Sequence, residues 1–157
     1  MRIRSILSLA ASAVAVAALA TPAQAADAAD GAYFIRDVRT GACLAGGEGP
    51  LGGHIEPCNP GTVWEIRNQG NGLAEIRDPR GANRCLALSP VRIYPPAVWV
   101  DECGRQPDQW TIQGPADEVP VVISLYRGEL GHLTTEGRRV VVSPDSGRPQ
   151  WILERLG

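Results

Sequence analysis

FIRDVRTGACLAG at residues 34–46, EIRDPRGANRCLAL at 75–88 and VISLYRGELGHLTT at 122–135 are three versions of one pattern. Each carries an isoleucine (Ile35, Ile76, Ile123), an arginine in the turn that follows (Arg39, Arg80, Arg127), and a leucine (Leu44, Leu86, Leu133) after Cys43, Cys85 or His132. Each leads on to a tryptophan with aliphatic neighbours: Trp64 with Ile66, Trp110 with Ile112, and Trp151 with Ile152 and Leu153. The isoleucines are 41 and 47 residues apart and the tryptophans 46 and 41. Two sets of anchors with similar periods mark an internal triplication, at about 33–70, 73–115 and 120–155.

Within each copy, short apolar runs alternate with clusters of Gly, Pro, Asn and Asp, and no stretch beyond the N-terminus keeps a 3.6-residue apolar period for three turns. That favours strands over helices. In the second copy the runs predict strands near 74–77, 84–88, 97–101 and 109–113, with turns at Asp78-Pro79, Pro95-Pro96 and Gly104. Four strands in each of three copies give an all-β chain of twelve strands with threefold pseudosymmetry. Trp64, Trp110 and Trp151 are expected to fill the centre, each burying about 200 Å² of ring, at most on the order of 5 kcal/mol.

Residues 1–25 read differently from the rest. Arg2 and Arg4 precede an apolar run from Ile6 to Ala20, and Ala23-Gln24-Ala25 fits the small-x-small cleavage pattern of a secretory leader. The run of about 15 residues is short of the roughly 20 that a spanning helix needs. Cleavage after Ala25 leaves one domain of 132 residues at 26–157, exported, extracellular and held by no membrane. The 157-residue chain has 15 basic residues, all of them arginine, against 17 acidic ones. Its formal charge of −2 becomes −4 without the leader, which argues against a nucleic-acid partner.

Export makes disulfides the default for Cys43, Cys58, Cys85 and Cys103, and four cysteines allow three pairings. Their spacings of 15, 27 and 18 contain no Cys-x-x-Cys pair of the kind that binds zinc. No metal or other cofactor is expected.

The repeated turn-Gly-x-Cys-Leu, as in Thr40-Gly41-Ala42-Cys43-Leu44, and the terminal tryptophan after Gln109 and Gln150 resemble the ricin-type β-trefoil lectin domains, over roughly residues 33–153. The resemblance implies a bridge inside a repeat, from the Cys-Leu strand to the next. That pairs Cys43 with Cys58 and Cys85 with Cys103, and leaves the third copy, with His132 and Asp145 or a neighbour at those places, without one. Each loop of 15 to 18 residues then contributes about 3 kcal/mol in the chain-entropy model.

The family's sugar site has an Asp two residues past the first cysteine, an aromatic two before the second, and an Asn-Gln pair ahead of the final tryptophan. Here the Asp places hold Ala45, Ala87 and Thr134, and the aromatic places hold Glu56 and Asp101. The places two before the tryptophans hold Thr62, Asp108 and Pro149, with Gln109 and Gln150 one residue out of register. No copy keeps the full set. The second copy offers a different one: Trp99 and Asp101 share a strand face, Tyr94 precedes them in the long loop VRIYPPAVW, and Asp108 and Gln109 follow. An exposed Trp99 beside acceptors would stack on a pyranose ring; the opposing reading packs Trp99 against the loop. His54 and Glu56 in the first copy lack an aromatic between them.

Little else in the sequence carries chemistry. GGEGPLGG, from Gly46, lacks the Lys and Ser/Thr of a phosphate loop and reads as a hairpin turn. His132 falls in a core-facing register, and neither histidine belongs to a hydrolase or metalloprotease pattern. Glu56 and Asp101 occupy equivalent places in different copies, which threefold symmetry is expected to hold farther apart than the roughly 5 to 10 Å of a glycosidase pair. The expectation is a non-enzymatic module that binds a glycan or polysaccharide. The competing expectation is a trefoil that inhibits a secreted protease, with Arg92 in the proline-stiffened loop SPVRIYPP at 89–96 entering a trypsin-like pocket.

Overall fold

The computed structural model describes residues 28–47, 49, 52–114 and 119–157. The expected leader at 1–25 lies outside the described residues. Twelve strands follow one another: β1 Gly31–Asp37, β2 Cys43–Gly46, β3 Gly53–Glu56, β4 Val63–Gly70, β5 Leu73–Arg77, β6 Arg84–Leu88, β7 Val98–Glu102, β8 Trp110–Gln113, β9 Val122–Leu125, β10 Gly131–Glu136, β11 Arg139–Ser143 and β12 Trp151–Arg155. Two short 3-10 turns, Pro60–Thr62 and Tyr126–Gly128, are the helical segments among the described residues. In the second copy the observed strands lie within one residue of those expected.

All pairings are antiparallel, and they close on themselves. β1 pairs with β4, β4 with β5, β5 with β8, β8 with β9, and β12 returns to β1. The last gap is closed by the bridge between Val121 and Trp151. Closure removes the exposed edges that a flat sheet would leave. The other six strands form the hairpins β2–β3, β6–β7 and β10–β11. The hairpins touch where Arg139 pairs with His54 and Ala97 with Val141.

Alternation along the strands sets what is inside. From Tyr33 to Asp37 in β1 and from Val63 to Ile66 in β4 every second residue is buried, which places Ile35, Trp64 and Ile66 in the core. The nine anchors of the repeat (three Ile, three Leu, three Trp) are all at most 1% exposed. Each tryptophan also satisfies its indole N–H, which would be costly to bury unpaired. Trp64 Nε1 donates to Leu44 O at 2.8 Å, Trp110 Nε1 to Leu86 O at 2.9 Å and Trp151 Nε1 to Leu133 O at 2.8 Å. One hydrogen bond therefore ties the fourth strand of each copy to its second.

Both disulfides have the expected partners, Cys43 with Cys58 and Cys85 with Cys103. The glycine-rich stretch is a tight turn in its described part, where Gly47 N donates to Gly52 O at 2.8 Å. A Cβ on Gly52 would lie 2.3 Å from Gly47 O, so only glycine allows that approach. The register expectation for His132 needs correction. Its ring is half-buried rather than in the core, and its Nδ1 pairs with Ser124 Oγ at 2.7 Å.

Candidate functional site

The hairpin β6–β7 carries the residues singled out in the second copy. Its register sets Ala87 opposite Trp99 and Cys85 opposite Asp101. Trp99 and Asp101, two apart on β7, therefore share a face. Trp99 is half-buried, and its Nε1 is buried with no hydrogen-bond partner among the described residues. Asp101 is 9% exposed. Its Oδ1 accepts from Glu102 N at 2.8 Å and lies 3.6 Å from Arg105 Nη1, while Oδ2 is buried without a partner. Two adjacent side chains thus keep hydrogen-bonding capacity that the described chain does not use.

The flanking residues are placed differently. The loop at 89–96 is closed at its base by Ser89 N donating to Ala97 O at 2.8 Å, and Ser89 Oγ accepts from Val91 N at 3.2 Å. Arg92 is exposed on it, and Tyr94 is 77% exposed. Asp108 is buried instead: Oδ2 accepts from Gly104 N at 2.6 Å and Oδ1 from Gln109 Nε2 at 3.2 Å. Asp108 and Gln109 are held together, and the carboxylate fastens the turn between β7 and β8.

The sequence reading missed a cavity in the first copy. About 560 Å³ in volume, it is lined by Ala42, Ile55, Pro57 and Cys58, with Glu56, Arg36 and Arg138 at its polar margin. Glu56 Oε1 accepts from Asn59 Nδ2 at 3.0 Å, and Oε2 lies 3.2 Å from His54 Nε2. Hydrogen bonds from Asn59 and His54 hold the Glu56 carboxyl below its ordinary range. An ionised acceptor beside an apolar floor suits a sugar ring and its hydroxyls. Arg138 joins the site because Ile55 N donates to Arg138 O at 2.9 Å, a contact that sequence spacing does not reveal.

The third copy ties its polar groups to one another. Thr134 Oγ1 donates to Gln150 Oε1 at 2.5 Å, so the residue at the family's Asp place is already engaged. The Ser124–His132 pair has the look of a nucleophile and base, but Ser124 is 1% exposed and offers no approach to a substrate. Among the described residues, Glu75, Cys85 and Cys103 are the group close enough to share a metal ion, and both sulfurs are in the disulfide. No helix among the described residues is long and apolar enough to cross a membrane.

No protein-family model matches the sequence, and no curated protein matches it. Solved structures do. The designed 3-fold symmetric protein ThreeFoil aligns at a TM-score of 0.63 and 18% identity, over 81% of this chain and all of that one. A salivary protein from Culex quiquefasciatus, of the Cysteine and Tryptophan-Rich family, aligns at 0.64 and 19%, over 85% of this chain and 99% of that one. SeviL, solved bound to an asialo-GM1 saccharide, aligns at 0.62 and 14%, over 82% of this chain and all of that one. At these identities the likeness is one of fold, and the fold is the β-trefoil.

Proposed function

We propose that this chain is an extracellular, ricin-type β-trefoil module of three pseudo-symmetric repeats that binds carbohydrate and catalyses nothing. The observation that carries the reading is the β6–β7 hairpin, where half-buried Trp99 offers a ring and Asp101 beside it keeps an oxygen that the described chain does not use. A pyranose is recognised by that combination, an aromatic for the apolar ring face and an acceptor for the hydroxyls. Tyr94, 77% exposed on the neighbouring loop, supplies a second aromatic, and Asp108 with Gln109 holds the turn that follows β7. A trefoil of similar architecture, SeviL, was solved with a saccharide bound, which supports the class of ligand. Two disulfides accord with an oxidising compartment, and residues 1–25 are read as the leader that sends the chain there.

A glycan array and a polysaccharide pull-down test the proposal. Binding should appear, and Trp99→Ala should abolish that of neutral glycans while thermal unfolding shows a folded protein. Absence of binding at millimolar sugar across the array would overturn the reading. Trypsin-like protease mixed with a stoichiometric excess of the protein tests the competing use of Arg92; full residual activity excludes it.

A further inference from the structure

A polar cleft of about 320 Å³ lies where β4, β5 and the turn into β6 meet. Its walls carry four guanidinium groups, those of Arg67, Arg77, Arg80 and Arg84, and the carboxylates of Glu65 and Asp78. On the β4–β5 ladder Glu65 stands opposite Arg77 and Arg67 opposite Glu75, so charges alternate both along and across the strands. Three of the arginines are fixed by the acid two residues before them. Arg67 sets Nε and Nη2 on Glu65 at 3.0 and 2.9 Å, Arg77 on Glu75 at 2.8 and 2.7 Å, and Arg80 on Asp78 at 2.8 and 3.0 Å.

Each of those guanidiniums spends one edge on its carboxylate, and its Nη1 has no hydrogen-bond partner among the described residues. Arg84 is exposed and makes no ion pair among them. Four guanidiniums face three carboxylates, counting Glu75 behind Arg77, and Glu102 stands opposite Arg84 across the β6–β7 ladder without an ion pair to it, so the Arg84 guanidinium stays open to a ligand. What the cleft has left to offer is a set of held N–H donors and a cation. Its complement is a group that only accepts and carries negative charge.

We propose that this cleft binds an anionic oxo group, a carboxylate or a sulfate ester, carried on a saccharide. The proposal rests on the carbohydrate reading and extends it from neutral rings to acidic ones, at a site separate from Trp99. The net negative charge of the chain conceals the site because the arginines are gathered locally. Fixed guanidiniums lose little freedom when a planar carboxylate or a sulfate docks, which is the advantage of arginine over lysine at such a place.

The test compares tetragalacturonate with its neutral methyl ester, and sulfated with unsulfated dextran, by calorimetric titration of the intact protein. One or both anionic forms should bind about tenfold or more tightly than the neutral counterpart, and which of the two does so identifies the anion. Arg84→Gln should remove that advantage without changing neutral binding, Arg84→Lys should keep part of it, and Trp99→Ala should leave the anionic preference in place. Equal binding of charged and neutral forms, or no loss in Arg84→Gln, overturns this inference and leaves the carbohydrate reading standing. No binding of any glycan, neutral or acidic, overturns both.

Discussion

The first two copies and the third close their surface turns by different means. In the first, buried Asp37 accepts from Thr40 N at 2.9 Å and Arg39 N at 3.2 Å; in the second, buried Asp78 accepts from Arg80 N at 3.0 Å. Each copy then has its disulfide. In the third copy Leu125 stands two residues after the isoleucine, where the aspartates stand in the others, and it is wholly buried. A leucine cannot cap a turn. The chain forms the 3-10 turn Tyr126–Gly128 instead, with Glu129 N donating to Tyr126 O at 3.1 Å, and His132 bonds Ser124 where a cysteine would have been. The tryptophan-to-leucine hydrogen bond is nevertheless the same in all three. The inner ring of anchors therefore specifies the architecture, and the outer closures are free to vary.

The largest effects should come from the part the copies share. Trp64→Ala, Trp110→Ala and Trp151→Ala should each cost about 3–5 kcal/mol, from the large-to-small cavity range, plus a stranded leucine carbonyl. Urea unfolding should give three values within about 1 kcal/mol of one another. A tryptophan that can be truncated at much lower cost would show that its copy does not share the common core.

Opening a bridge comes next. Cys43→Ala with Cys58→Ala, or Cys85→Ala with Cys103→Ala, should each lose about 3 kcal/mol, since closed loops of 15 and 18 residues differ little in entropy. The third copy has only a hydrogen bond to lose. His132→Ala leaves Ser124 Oγ buried and unpaired, at about 1–2 kcal/mol. If His132→Ala proved as damaging as removing a disulfide, the bond between His132 and Ser124 would be the third copy's equal of a bridge.

The inner part of this contrast was legible in the sequence because the repeat's Ile, Leu and Trp recur at matched spacing and obey strand alternation. The cysteine pairing came with the resemblance rather than from the spacings themselves. The site was less legible, for reasons of register. Ser124 and His132 meet only because β9 and β10 set them opposite each other. Asp108 reads as a free acceptor in sequence, yet it turns inward to Gly104 N. The arginine cleft depends on the β4–β5 register, and counting charges over the whole chain averages it away. The alternating acid-x-Arg pairs at 65–67, 75–77 and 78–80 were the available signal.

The smallest predicted effect concerns acid. Burial pushes the Asp78 carboxyl up, but the hydrogen bonds from Arg80 and the charges of Arg80 and Arg84 outweigh it and hold the group below its ordinary range. A carboxyl whose folded value is depressed adds stability above its unfolded value, about 3.9, and that contribution is lost as pH falls through the folded value. Melting temperature should therefore decline below about pH 4, and Asp78→Asn should flatten that decline while lowering stability at neutral pH. The loss should be on the order of 1 kcal/mol, kept small because the Arg80 end is 45% exposed and screened by water. Leu125 in the third copy has no titrating group to lose, so Leu125→Val should shift the curve without changing its slope. Melting curves from pH 2 to 6 decide the matter. An unchanged acid slope in Asp78→Asn would mean that the ion pair between Asp78 and Arg80 contributes no pH-dependent stability, and that the turn is held by the backbone bond from Arg80 N alone.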